Sequence, residues 1–564
     1  MLKDRYIELM ERVLSAYSDA HIQRYFDDVK QNGLTEHGFP RLTANIGILI
    51  AHGRRSDLLP IFLEMMEFCC KTISKVKAAN DFSVREIICC LWEIEKSGVV
   101  DCKTTERWRA YLRKIEPTIC YTKYATSTTD TVRNWALFSA VSEYFRLKAG
   151  LCDTMEFIEL QLAQQLQWFD ENGMYMDKLD SQNHHPIVYD IVPRGLMVLL
   201  LNQGYCGKHY DAIDAILKKS ALLTLKMQSP TGEIPFGGRS NQFLHNEAWL
   251  CILFEFEARR YAKMGDDQMA ARFKAATLKA LSAVEAWLEK EPIRHIKNRF
   301  PTETKYGCEG YAYFDKYMIT AASFLYAAYT ICDDTIPADE CAEENASVFA
   351  TSAHFHKLFL KNGGYGVEFD LDADTHYDAN GLGRVHRAGA PSAICLSCPC
   401  PKNPSYVVDI DTPQAFSVCA AIKTKDGWKL AAGDEVTFEM LEAKIAGEHA
   451  RAILKTTFPT GICVCERYEV GATGVTVAIE GDGEIAFALP TFAYDGEKRS
   501  VILQEEKTLT IVYEGWRCRY TTDGEIANLG KIAANRNGHY YMYLATGRNR
   551  LGVNIRIEKC VQEN

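Results

Sequence analysis

A chain of 564 residues with 47% hydrophobic and 24% charged content has ordinary globular composition, and at this length one core divides into at least two domains. A net charge of -10 excludes a nucleic-acid binder built on a basic stripe. An acidic partner must be met by basic residues gathered locally against a repulsive background.

The opening segment MLKDRYIELMERVLSAY carries charges every few residues, so it predicts an amphipathic helix and not a leader peptide. No later run reaches the roughly 18 apolar residues of a membrane span. A cytoplasmic protein is expected. Up to about residue 335 apolar residues recur three and four apart, as in 128–151, 193–204, 240–263 and 311–333. Gly150 and Gly204 suit helix stops, and Pro193 suits a first helical turn. About eleven or twelve helices in hairpin succession are expected, the number that a closed ring of helix pairs needs.

Four polar clusters stand at the entrances to apolar helices. The first joins Ser127, Thr128, Thr129 and Asp130 to Arg133, Asn134 and Trp135; Asp130 and Asn134 are four apart, and Asp130 also suits a helix cap. The second is Asn183-His184-His185 with Tyr189, Asp190 and Arg194. Adjacent histidines face different ways on a helix, so a single catalytic or binding histidine fits better than a metal pair. The third, GEIPFGGRSNQFLHNEAW, delivers Arg239 just before a helix, where free N–H groups and a forked donor make an anion clamp. With a helix from Ser240, Asn241 and His245 share a face while Glu247 points away; Ser240 as a cap is the plainer alternative. The fourth, RFPTETKYGCEGYAYFDKYMI, sets Tyr306, Tyr311, Tyr313 and Tyr317 around Glu309 and Asp315. Tyrosines usually pack, but a glycan site needs aromatic platforms and a phenol that moves a proton. Alternate helices of a ring point the same way, so these entrances are expected to share one cleft.

The segment 333–350 is polar. Beyond it short alternating runs, among them GGYGVEFDLD, YVVDID, AFSVCAAIK and GVTVAIEGDGEIAFALP, predict antiparallel strands and a sandwich. The expected division is an α domain over 1–335, a linker over 336–350 and a β domain over 351–564. In THYDANGLGRVHRAGAPS, His376, Arg384, His386 and Arg387 surround Gly381 and Gly383 and are placed to close over the ring's open end. The twenty cysteines, several adjacent as in Cys69-Cys70 and Cys89-Cys90, suit free buried thiols in a reducing compartment. Cys395, Cys398 and Cys400 lack a second ligand pair, so neither a metal nor a cofactor is expected.

In GRSNQFLHNEA, YGCEGYAYFDKY, HYDANGLGRVHRAG and GEIAFALPTFAYDGE the chain resembles polysaccharide lyases of the heparinase II/III-like and oligoalginate-lyase type. The resemblance implies an N-terminal (α/α) toroid, a C-terminal antiparallel β-sandwich and a cleft between them. It implies β-elimination on an acidic, uronate-containing oligosaccharide or polysaccharide, without nucleic acid or membrane as partner and with a homo-oligomer left open. Arg239 and Asn241 would neutralise the uronate carboxylate. His245 or His185 would act as base, Tyr311 or Tyr189 as acid or base, and His386 would assist from the second domain. Asn134, Trp135, Asp190, Gln242, Glu247, Tyr306 and Arg384 would contact sugar. The same toroid hosts glucuronidases and unsaturated-uronyl hydrolases, whose paired carboxyl groups would come from Asp130, Asp190, Glu233, Glu247 and Glu309. A glycan-binding protein without activity is the third alternative.

Overall fold

A computed structural model describes residues 1–177, 184–339, 346–433 and 435–560. Asn183 of the second polar cluster and residues 340–345 of the expected linker lie outside the described residues.

Among the described residues thirteen α-helices of eleven residues or more run between Leu2 and Ile331, slightly above the expected number. Six of them, Gly38–Ala51, Val84–Ser97, Trp135–Lys148, Ile187–Asn202, Asn246–Lys263 and Thr320–Ile331, pack each on the next and the last on the first. The inner ring closes. Its helices are apolar nearly all round, as a doubly covered helix must be, and every residue from Gly38 to Ile50 is buried. The packing is close: a Cβ on Gly47 would stand 2.4 Å from the Cys90 sulfur and from the Phe62 ring. Outer helices are amphipathic instead. Leu2–Leu14 buries Tyr6, Ile7, Leu9, Met10, Val13 and Leu14 at helical spacing and packs on Thr320–Ile331. With Leu59–Ile73, Cys102–Leu112, Met155–Gln165, Tyr210–Met227 and Asp267–Leu288 it completes an (α/α) toroid of six hairpins.

Several helix starts differ from expectation for local reasons. The Trp135 helix begins after a loop in which the Asp130 carboxylate accepts the Thr126 hydroxyl at 2.8 Å and the Ser127 N–H at 3.1 Å, so Asp130 and Asn134 share no helical face. The third cluster's helix begins at Asn246, not Ser240, because Ser240 and Gln242 take left-handed φ values of 62° and 66° that cannot continue an α-helix. Asn241 and His245 therefore do not lie on one helix face. Pro193 sits inside Ile187–Asn202 and not in its first turn; lacking an N–H, it leaves the Tyr189 carbonyl without its usual donor. The stretch 311–333 divides into Phe314–Tyr317 and Thr320–Ile331.

Among the described residues the first strand starts at Ser347, and every pairing between named strands is antiparallel. Ser347–Ala350, Lys357–Asn362, Tyr365–Asp370 and Gly381–Arg387 form a four-stranded meander. An eleven-stranded sheet is built on the long pair Gly474–Tyr494 and Gly538–Lys559, with Val475 opposite Ile555. Inward residues of the two sheets share one apolar core, where the Phe369 and Tyr468 rings meet edge-on at 4.8 Å. The expected strand YVVDID makes only an isolated bridge between Val407 and Tyr306, and AFSVCAAIK is strand only over Ala420–Thr424. Pro401, Pro404 and Pro413 withhold ladder donors from this stretch. Cys395, Cys398 and Cys400 are buried free thiols, Cys395 beside Tyr520 and Cys398 beside Asn537.

The sandwich grips the ring through buried polar contacts. Arg536 pairs with Glu309 at 2.7 Å and donates to the Gly307 carbonyl at 2.7 Å, while Asn298 donates to the Arg536 carbonyl at 2.9 Å. Among the described residues no helix is long and apolar enough to cross a membrane.

Candidate active site

The N-terminal ends of the six inner helices meet around a cleft of about 260 Å³. His37 and Arg41, Phe82, Asn134 and Trp135, Val188 and Tyr189, His245, and Lys316 with Tyr317 each come from a different inner helix or the loop entering it. Arg239, Ser240 and Tyr311 line the cleft from the connecting loops. Helix N-termini carry partial positive charge, so six of them converging with Arg41, Arg239 and Lys316 make an anion-seeking cleft in an acidic protein.

Three hydroxyl groups form a chain across it. The Ser240 Oγ lies 2.6 Å from the Tyr311 hydroxyl and 3.1 Å from that of Tyr189. Arg239 Nε donates to the Tyr311 oxygen at 3.1 Å, and its guanidinium stands 4.7 Å from the Tyr311 ring centre. At Tyr189, burial, and then the neighbouring Tyr311, holds the phenol well above the ordinary range.

His245 is buried between aromatic rings, 5.7 Å from both Phe243 and Tyr317. Burial, with Arg41, His295 and Lys297 adding to it, lowers its pKa to about 3, so the imidazole is neutral at physiological pH. Its buried Nδ1 has no hydrogen-bond partner among the described residues. His295 behind it is likewise lowered to about 4, chiefly by burial. Both values lie below the ordinary 6.5, so the unfolded chain binds more protons as pH falls from about 6.5 towards 4. Stability is therefore full above this window and declines within it. Urea unfolding at pH 7 and pH 4.5 should show a falling midpoint, and His295→Gln should make that fall shallower; an equal fall in the variant would contradict the assignment.

The structure thus brings Arg239, Tyr311, Tyr189, His245, Asn134 and Trp135 to one cleft. Asn134 donates to Asp177 at 2.6 Å, and Trp135 packs edge-on against Phe82 at 4.5 Å. Other expected residues are placed elsewhere. Asn241 spends its amide on the Pro235 carbonyl at 3.0 Å and accepts from Gln242 at 2.7 Å, and the Gln242 oxygen accepts from Asn537. His185 packs against His354 and Phe355. Asp190 is buried against Arg194, with Nε at 3.0 Å. Glu247 is buried on Lys297 at 2.5 Å, and Tyr306 stacks on Phe300 at 3.6 Å in the domain contact. Arg384 donates to the Ile234 carbonyl at 2.7 Å, and His386 lies 2.7 Å from Ser229 Oγ; both support the Arg239 loop from behind and do not line the cleft.

Arg41 and Lys316 were not among the expected site residues. A lone arginine in the apolar run GFPRLTANIGILIA is the signal that marks Arg41, whose guanidinium donates to Thr320 at 3.0 Å and to the Phe82 carbonyl at 3.1 Å. Lys316 lies inside the fourth cluster, hidden among its tyrosines; burial lowers its pKa. Ser240, for which a helix cap was the plainer alternative, is the centre of the hydroxyl chain.

No protein-family model and no curated protein matches the chain. Among solved structures, a Paenibacillus xanthan lyase superposes with a TM-score of 0.51 at 9% identity, over 99% of this chain and 58% of that one. A mutant of the heparan sulfate lyase HepC from Pedobacter heparinus gives 0.48 at 8% identity, over 93% of this chain and 77% of that one. The Streptomyces coelicolor A3 chondroitin AC lyase in complex with chondroitin sulphate gives 0.44 at 11% identity, over 99% and 83%. At these identities the likeness is one of fold. The toroid followed by an antiparallel sandwich is the architecture that the sequence resemblance implied.

Proposed function

We propose that the chain cleaves a uronate-containing oligosaccharide or polysaccharide by β-elimination in this cleft, with residues 1–335 as the catalytic domain and 351–564 as the domain that shapes the cleft loops. The observation that carries this is the composition of the cleft wall: cations, phenols and helix N-termini, with no aspartate or glutamate among the described lining residues. Glycoside hydrolysis needs two carboxyl groups flanking the bond. The carboxylates that suited that role are engaged elsewhere: Asp130 on loop amides, Asp190 on Arg194, Glu233 and Glu247 on Lys297, and Glu309 on Arg536.

In the elimination, Arg239 holds the uronate carboxylate and lowers the cost of charge at the adjacent C5. Tyr311 takes the C5 proton as its own hydroxyl proton moves on to Ser240. The C5–H electrons form the C4=C5 double bond, the C4–O bond breaks, and the departing oxygen receives a proton through the Tyr311–Ser240–Tyr189 hydroxyl chain. His245, with a pKa of about 3, is a poor base in the free protein; it serves as a neutral hydrogen-bonding group for the substrate. Incubation with 4-linked uronate oligosaccharides should raise ultraviolet absorbance, because the new double bond is conjugated to the carboxylate. New reducing ends without that absorbance would contradict the assignment.

A further inference from the structure

Alternate backbone amides along residues 234–240 end on buried carboxylates from four separate places in the chain. The Ile234 N–H donates to Glu247 at 3.2 Å, Phe236 to Glu368 at 3.1 Å, Gly238 to Asp378 at 2.6 Å and Ser240 to Glu309 at 2.7 Å. All four acids are buried. Three have a cation at hand: Lys297 on Glu247 at 2.5 Å, Arg384 on Glu368 at 3.4 Å and Arg536 on Glu309 at 2.7 Å. Charge-assisted bonds of this kind are about twice as strong as neutral ones.

The backbone they hold is one that a loop does not adopt unaided. Gly237, Gly238, Ser240 and Gln242 have φ of 144°, 73°, 62° and 66°, and a Cβ on Gly238 would stand 3.0 Å from Pro186. Left-handed conformations at non-glycine residues persist only where the surroundings over-determine them. Two of the four acids come from the four-stranded sheet and its connections: Glu368 on strand Tyr365–Asp370, and Asp378 in the loop that leads from that strand to Gly381–Arg387. The sheet therefore reaches the cleft by holding the loop that lines it.

We propose that Asp378 is a positioning residue for the cleft: by accepting the Gly238 N–H it fixes the turn that presents Arg239 and Ser240. The proposal rests on the cleft being the site of cleavage. Asp378 lies next to neither the Arg239 guanidinium nor the hydroxyl chain in the bonding pattern, so its effect must pass through the loop.

The test is a cycle of wild type, Asp378→Ala, Arg239→Ala and the double variant, with Asp378→Asn beside them, assayed by release of reducing ends. Both elimination and hydrolysis release them, so failure of the elimination assignment leaves the cycle readable. Asp378→Ala should lower kcat/KM on the order of 10²-fold, as displacement of a catalytic group by about 1 Å does. Asp378→Asn should recover most of it, since the amide oxygen still accepts the Gly238 N–H. In the Arg239→Ala background the same alanine should cost clearly less than in wild type, because only the Ser240 part of its effect remains. Equal losses in both backgrounds, or undiminished activity of Asp378→Ala, would overturn the proposal. Hydrogen exchange needs no substrate: amides 236–240 should exchange faster in Asp378→Ala while those of Gly38–Ala51 stay protected. Faster exchange throughout the inner ring, or none in the loop, would also overturn it.

Discussion

Tyr311→Phe should lower kcat by about 10²- to 10⁴-fold, the usual contribution of a positioned proton-transfer group. The variant removes one oxygen and keeps the ring, which packs 6.0 Å from Tyr317, so the cleft wall survives. The lost oxygen is the one within 2.6 Å of Ser240 and 3.1 Å of Arg239 Nε. Its hydrogen bonds are worth about 1 kcal/mol each in stability, so the melting transition should hardly move. Steady-state kinetics and thermal unfolding on the same preparation check this. A phenylalanine variant that retains most of its turnover would remove Tyr311 as the proton carrier.

Arg239→Ala should act on binding and chemistry together, with a loss of about 10²- to 10³-fold in kcat and a raised KM. One guanidinium serves two ends in the proposed reaction: its fork is free to take the incoming carboxylate while Nε holds the Tyr311 oxygen. Arg239→Lys should lie between alanine and wild type, since it keeps the charge and loses the fork. A rise in KM alone, with kcat unchanged, would mean that Arg239 binds substrate without aiding proton loss.

The toroid and sandwich were legible because their periodicities are strong and switch once: helical spacing up to Ile331, then alternation from Ser347. The common entrance of the inner helices followed from the geometry of hairpins, and Arg239, Tyr311, Tyr189, His245, Asn134 and Trp135 line one cleft there. What could not be read was the conformation of residues 234–245. Apolar periodicity runs through Phe243 and Leu244, but left-handed turns at Ser240 and Gln242 are imposed by tertiary hydrogen bonds to acids as distant as Glu368 and Asp378. Local propensity carries no trace of such partners. For the same reason Asn241 looked like a substrate ligand when its amide is spent on the loop's own backbone, and Glu247 looked available when Lys297, fifty residues on, already holds it.

The most direct test of elimination is the mass balance of one cleavage event. A purified uronate tetrasaccharide is cleaved once, and the two fragments are weighed by mass spectrometry. Elimination adds nothing from solvent, so the fragment masses should sum to that of the substrate, with one fragment carrying a C4=C5 double bond. Fragments that together exceed the substrate by one water would mean hydrolysis, and the assignment of this cleft to a lyase would be wrong.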